Sequence, residues 1–85
     1  MKTFSYKITD EVGIHARPAG TLARMAGKYN SVVTIEKNGT SVNLEKLIAV
    51  MQLNVMYGET VTVTTDGTDE EDAFDEIKAF FEENL

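Results

Sequence analysis

The sequence contains no cysteine, a single histidine and no long uninterrupted run of apolar residues. Without cysteine there is no disulfide framework and no thiolate site, and one histidine is too few for a transition-metal centre. We therefore expect neither a metal nor a cofactor. The lack of a membrane-length apolar run and of a signal-peptide pattern argues against direct membrane insertion and makes the cytoplasm the expected location.

Length and charge limit the class of protein further. Eighty-five residues, 42% of them hydrophobic, suffice for one domain, which we expect to span residues 1–85. The net charge is −6, yet residues 1–65 carry seven basic and five acidic side chains, so the acid is concentrated in residues 66–85. No acidic residue lies between Glu11 and Glu36, where three basic side chains occur. This basic segment suits a phosphate or an acidic protein partner, whereas the acidic chain as a whole opposes binding to nucleic acid.

The histidine lies in the segment Gly13–Ala19, whose sequence is GIHARPA and whose proline marks the first turn of a helix. Helix N-termini present unpaired N–H groups and the positive end of the helix dipole, which stabilise a phosphate. A neutral imidazole could attack a phosphoryl group, and Arg17 could neutralise the phosphate oxygens. A lone histidine at a helix start is, however, more often a cap or a surface residue. Arg17 precedes a proline and could belong to the cap instead of the helix. These residues alone leave both interpretations of His15 open.

The periodicity of the apolar residues predicts seven elements in the order β-α-β-β-α-β-α. The strands are indicated by alternating apolar residues, namely Phe4, Tyr6 and Ile8, then Val33 and Ile35, then Val42 and Leu44, and then Val61 and Val63. The helices are indicated by Ala19, Leu22, Ala23 and Ala26, by a short helical segment over residues 46–53, and by Ala73, Phe74, Ile77, Phe80, Phe81 and Leu85. Asn38-Gly39 predicts a hairpin turn, and Asn54 predicts a left-handed helix stop. Thr68 and Glu71 fit a capping box for the last helix. The predicted fold is α+β, with one four-stranded antiparallel sheet and three helices on one of its faces.

The short helix contains five consecutive apolar residues, Leu47–Met51, with the sequence LIAVM. Successive side chains on a helix are about 100° apart, so all five cannot face one core. We expect Ile48 and Met51 to form an exposed ridge, with Leu47 beside them. Such a ridge in a small domain favours a partner-binding surface.

The segment GIHARPA closely resembles the active-centre signature of HPr, the histidine-containing phosphocarriers of the bacterial phosphotransferase system. The element order and the Asn38-Gly39 turn fit the same family, so the resemblance covers essentially the whole chain. It implies an open-faced β-sandwich and a relay in which enzyme I, charged from phosphoenolpyruvate, phosphorylates His15 on Nδ1. The phosphoryl group then passes to the IIA component of a sugar permease. Arg17 and the backbone from Ala16 to Pro18 would support the phosphate.

The resemblance also implies a docking face for enzyme I and the IIA components, formed by the first helix and the short second helix. The residues expected on it are Gly20, Arg24, Leu47, Ile48 and Met51. A monomer is expected. Nothing beyond His15 forms a set of acid, base and nucleophile, so a free-standing enzyme with its own small-molecule substrate is not expected.

Three positions depart from the family pattern. Many members have a regulatory serine at the start of the short helix, where this chain has Lys46, so regulation by a serine kinase is not expected. Gly20 stands where threonine or alanine is common, and Asn54 stands where glycine is common. Two alternatives share the same fold: a regulatory or binding module that turns over no phosphate, and a carrier for a relay that does not serve sugars, such as a nitrogen-related or dihydroxyacetone-kinase branch.

Overall fold

The computed structural model describes all 85 residues and contains four strands and three helices in the predicted order. The elements are β1 (Lys2–Lys7), α1 (Ala16–Gly27), β2 (Val32–Lys37), β3 (Thr40–Asn43), α2 (Leu47–Gln52), β4 (Thr60–Asp66) and α3 (Glu70–Asn84). None of the helices combines the length and apolarity needed to cross a membrane.

The four strands form one antiparallel sheet in the order β1-β4-β2-β3. The register aligns Phe4, Val63, Ile35 and Val42 in one row across all four strands. Because successive side chains of a strand point to opposite faces, this alignment gives the sheet one apolar face. The neighbouring rows on the other face are polar and include a contact of 3.2 Å between the hydroxyls of Thr3 and Thr64. The predicted fold is therefore confirmed.

The helices cover the apolar face, and aromatic side chains of α3 and β1 pack together in the core. Phe81 is fully buried on α3, and its ring centroid lies 5.6 Å from that of Phe4 and 5.5 Å from that of Tyr6. The ring of Phe74 lies 5.4 Å from that of Phe4. All three pairs are edge-to-face, the arrangement that the aromatic quadrupole favours. The helical apolar pattern of residues 73–85 is thus explained by packing on β1 and β4.

The predicted capping box at the start of α3 is wrong. The helix begins at Glu70, so Asp69 and not Thr68 occupies the cap position, and no side chain caps the helix. The Asp69 carboxylate instead accepts hydrogen bonds from the Ser31 hydroxyl at 2.5 Å and the Asn30 N–H at 2.8 Å. Both hydrogen bonds lower the pKa of Asp69, and the bond from Ser31 is the main cause. A contact between distant segments has replaced the local cap.

Both predicted left-handed positions are confirmed. Asn38 and Gly39 have φ of 51° and 85°, as a tight hairpin turn with two left-handed residues requires. Asn54 has φ of 54° and ends α2 as predicted. The short helix is two residues shorter than the predicted range 46–53, since Lys46 and Leu53 occupy its cap positions.

Candidate functional site

The segment that carries His15 joins β1 to α1 and is attached to the connection between α2 and β4. We call residues 8–15 the histidine loop and residues 53–59 the α2–β4 connection. At one end of the histidine loop, the Ile8 N–H donates to the Glu59 carbonyl at 2.9 Å. At the other end, the Ile14 N–H donates to the Val55 carbonyl at 3.0 Å. Gly13, with φ of 76°, lies so close to this connection that a Cβ atom there would be 2.3 Å from the Val55 oxygen.

A second attachment ties the histidine loop to the end of α3. The main-chain oxygen of Leu85 accepts hydrogen bonds from the N–H groups of Thr9 and Asp10, at 2.6 and 2.9 Å. The Asp10 carboxylate accepts the Val12 N–H at 2.9 Å, which stabilises a turn within the loop. The loop is therefore held on two sides before the chain reaches His15.

His15 occupies the cap position of α1, with extended backbone angles and an exposed side chain. Its Nδ1 atom lies 3.3 Å from the Gly13 carbonyl oxygen. A carbonyl oxygen can only accept, so this contact is a hydrogen bond when Nδ1 carries the ring proton. In that tautomer Nε2 holds the free lone pair, and attack through Nδ1 requires the proton to move and the contact to open.

The first turn of α1 presents unpaired donors beside the imidazole. The N–H groups of Ala16 and Arg17 have no acceptor in the protein, whereas the Ala19 N–H is bonded to the His15 carbonyl at 3.0 Å. Pro18 has no N–H and is buried, so it shapes this turn without donating a hydrogen bond. No acidic residue lies in the first turn. This end of the helix therefore offers free N–H groups and the positive end of its dipole to an anion.

Arg17 lies within α1 and not at its cap, which is occupied by His15. The sequence alone had left both positions open for Arg17. Its side chain is exposed and forms no ion pair. His15 and Arg17 both line a shallow cleft of about 240 Å³. The remaining lining residues are Asp10, Pro18, Thr21, Phe80 and Asn84. No motif in the sequence connects the lining residues of the histidine loop and α3 to His15, so they were not predicted, and only the fold brings the end of α3 to this place.

Further along α1, Arg24 is fixed against the helix surface. Its guanidinium donates to the Thr21 hydroxyl at 3.3 Å, and that hydroxyl donates to the Arg17 carbonyl at 3.2 Å. A Cβ atom at Gly20 would lie 3.7 Å from the same guanidinium, which is ordinary contact. The Arg24 side chain therefore lies beside Gly20, and the two predicted docking residues are neighbours.

The apolar run on α2 divides between core and surface. Val50 is only 1% exposed, whereas Ile48 and Met51 are 66% and 40% exposed. Leu47 is half-buried and packs against the core, so the exposed ridge consists of Ile48 and Met51 without it. Lys46 is exposed at the cap position of α2, and its side chain makes no ion pair. Met56 is also exposed, at 49%, and it was not predicted because it lies in a connection without periodicity.

Comparison with known proteins gives one consistent result. A family model described as the PTS HPr component phosphorylation site matches residues 2–83. The structure of the histidine-containing phosphocarrier protein from Mycoplasma is 40% identical in sequence, with a TM-score of 0.90 over 93% of this chain and 90% of that protein. HPr from Thermoanaerobacter tengcongensis is 35% identical, with a TM-score of 0.85 over 100% of both chains. Crh, a catabolite repression protein from Bacillus subtilis whose crystal structure is a domain-swapped dimer, is 31% identical, with a TM-score of 0.78 over 94% of this chain and 92% of that protein.

Proposed function

This chain belongs to the HPr family of phosphocarrier proteins of the phosphotransferase system, and we propose on that basis that it accepts a phosphoryl group on His15. The donor is phospho-enzyme I, and the acceptors are IIA components of sugar permeases. The observation that carries the proposal is the arrangement around His15. An exposed imidazole at the start of α1 lies next to two unpaired N–H groups and shares a cleft with an unpaired arginine.

The chemistry is a single displacement at phosphorus. A lone pair on an imidazole nitrogen attacks the phosphorus atom, and the new N–P bond forms as the bond to the donor group on enzyme I breaks. The electron pair of the broken bond leaves with the donor. The Ala16 and Arg17 N–H groups and the Arg17 guanidinium stabilise the charge that is shared among the phosphoryl oxygens. Transfer to a IIA component repeats the displacement with His15 as the leaving group.

Attack through Nδ1 gives a role to the contact with Gly13. The Gly13 carbonyl must release Nδ1 before that nitrogen can attack, and the ring proton then resides on Nε2. Because Gly13 is held against the α2–β4 connection, the carbonyl stays in place while the imidazole turns. The relay therefore needs a fixed loop and a mobile ring.

The docking face for both partners combines α1 with the exposed ridge of α2. Arg24 supplies positive charge on α1, and Ile48 and Met51 supply apolar surface on α2. Complementary charge speeds encounter with an acidic partner surface, and apolar contact slows dissociation. Lys46 takes the place of a regulatory serine, so no switch by serine phosphorylation operates at this position.

Labelling by enzyme I tests the proposal. Intact mass spectrometry under alkaline conditions, after incubation with enzyme I and phosphoenolpyruvate, will show one acid-labile phosphate on the wild-type protein. His15→Ala will show none, because it removes the only imidazole. The circular dichroism spectrum of the variant serves as the control for folding. A labelled His15→Ala protein would place the acceptor elsewhere.

The likeness to Crh supports a second candidate, a regulatory module of the same fold that binds a partner without turning over phosphate. A wild-type protein that stays unlabelled in the same experiment would favour this candidate. If the protein is labelled but transfers phosphate only to an acceptor outside sugar transport, the result would favour a carrier for a relay that does not serve sugars.

We propose that the protein is a monomer. Sedimentation of the purified protein distinguishes a monomer from the dimeric arrangement of Crh.

A further inference from the structure

Lys37 is the least exposed basic side chain that forms an ion pair in this protein, with a side chain only 14% exposed. It ends β2, and its ammonium group reaches the α2–β4 connection. The Nζ atom lies 3.1 Å from the Leu53 carbonyl oxygen, 2.7 Å from the Asn54 carbonyl oxygen and 2.9 Å from Glu59 Oε1. An ammonium group has three N–H donors, so all of them have an acceptor.

The three acceptors lie at the two ends of the α2–β4 connection. The Leu53 and Asn54 carbonyls follow the last turn of α2, where helix carbonyls lack partners within the helix. Glu59 lies at the other end, and its Oε1 atom also accepts the Met56 N–H at 2.7 Å. The hydrogen bond from Lys37 is the main cause of the lowered pKa of Glu59. The ammonium group thus joins the two ends of the connection, and the Glu59 carboxylate that it binds also holds Met56 in the middle.

The same connection holds the histidine loop. Its Val55 carbonyl accepts the Ile14 N–H, and its Glu59 carbonyl accepts the Ile8 N–H. Gly13 packs against Val55 with no space for a side chain. The position of the loop before His15 therefore depends on the position of Val55, and Val55 lies between the residues that Lys37 fixes.

We propose that Lys37 is a positioning residue for phosphoryl transfer, which acts through the α2–β4 connection to hold the histidine loop and the Gly13 carbonyl in place. It touches neither His15 nor the incoming phosphate. The inference rests on the proposed function of His15. A displacement of the reacting group by about 1 Å can reduce a rate by up to about 100-fold, so a mobile loop would slow the transfer step.

The test compares Lys37→Met, which keeps the length of the side chain but removes its charge and donors, with the matched control Lys7→Met. Lys7 is exposed and has no polar partner. For phosphorylation by enzyme I and phosphoenolpyruvate, Lys37→Met is expected to lower kcat about ten-fold and to change KM by less than about two-fold. Lys7→Met is expected to leave both constants unchanged.

Amide hydrogen exchange in the free protein gives a readout that does not require enzyme I. Lys37→Met should accelerate exchange of the Ile14 amide about ten-fold while the core amides of β4 keep their wild-type rates. Glu59→Gln, which retains an oxygen for the Met56 N–H, should shift kcat and Ile14 exchange in the same direction by a smaller factor, and it replaces Lys37→Met if that variant does not fold.

Unchanged kcat together with unchanged Ile14 exchange in Lys37→Met would overturn the proposal. A raised KM with an unchanged kcat would also overturn it, because it would make Lys37 a docking charge. A wild-type protein that enzyme I does not phosphorylate would instead contradict the proposed function, and the exchange measurement would still decide whether Lys37 holds the loop.

Discussion

At the scale of single residues, His15 and Arg17 show what a short motif can predict. The segment GIHARPA predicts a helix that starts beside the histidine, and α1 begins at Ala16 with His15 at its cap. The motif cannot predict Lys37 or Asn84, because Lys37 binds the α2–β4 connection and Asn84 lines the cleft, and both belong to other elements. In the sequence, Lys37 is an ordinary polar residue at the end of a strand. Its contacts with the carbonyls of Leu53 and Asn54 depend on the fold, which brings the end of α2 next to the end of β2.

Charge reversal at Arg17 tests its expected part in transfer. Arg17→Glu should lower kcat for phosphorylation by about 100-fold or more, because it replaces a donor to the phosphoryl oxygens with a repelling carboxylate. It should not weaken the fold, since a carboxylate near a helix N-terminus stabilises the helix by about 0.3–1 kcal/mol. Steady-state kinetics and thermal unfolding measure the two effects separately.

Arg24→Glu is the matched control for this reversal on the same helix. Arg24 lies about two turns further along α1, where it is bonded to Thr21 and belongs to the proposed docking face. Its reversal should therefore weaken binding of enzyme I and raise KM more than it lowers kcat. An Arg17→Glu protein that transfers phosphate within a few-fold of the wild type would remove Arg17 from the site.

At the scale of elements, α2 shows how a short segment is stabilised by its surroundings. Six residues are too few for an independent helix, and no acidic or basic side chain in its terminal turns complements its dipole. Val50 anchors it in the core, and Lys37 binds the carbonyls that follow its end. One of these carbonyls belongs to Asn54, which adopts a left-handed backbone angle that glycine reaches at lower cost. The sequence predicted the helix stop but not the lysine that supports it.

Two substitutions, one on α2 and one at its cap, test the docking face that includes this helix. Ile48→Ala should weaken the complex with enzyme I by faster dissociation, since it removes exposed apolar contact area. Lys46→Glu should instead slow association, and this effect should diminish at higher salt because charges at the rim of an interface are screened. Surface plasmon resonance at two salt concentrations measures both rates.

Val32→Ala is the control for Ile48→Ala. Val32 is 56% exposed and precedes the buried Val33 on β2, so its side chain lies on the face of the sheet that the helices do not cover. It should leave both rate constants at their wild-type values. If Ile48→Ala and Lys46→Glu also leave them unchanged, α2 is not part of the interface and its exposed ridge has another role.

At the scale of the whole molecule, the alternation of apolar residues predicted the sheet and the number of helices but not the strand order. The hairpin between β2 and β3 is local, and Asn38-Gly39 identifies it. The pairing of β1 with β4 joins residues about sixty positions apart, and no local pattern in one sequence specifies it. The cleft beside His15 has the same origin, because it forms only where the histidine loop meets the end of α3.

The failure of the capping-box prediction at α3 follows from this global arrangement as well. Thr68 and Glu71 have suitable spacing, but the turn before α3 packs against residues 30–31. A Cβ atom at Gly67 would lie 2.6 Å from the Ser31 Cα atom. The Asp69 carboxylate binds Asn30 and Ser31 and does not cap α3, so this tertiary contact determines where the helix begins.

The most direct test of the account is a chase of the phosphoryl group through His15. The protein is labelled with radioactive phosphoenolpyruvate and enzyme I, separated from both, and mixed with a purified IIA component. We predict that the label leaves this protein and appears on the IIA component in equal amount, and that His15→Ala transfers none. A wild-type protein that takes up no label, or that retains it on a residue other than His15, would contradict the account.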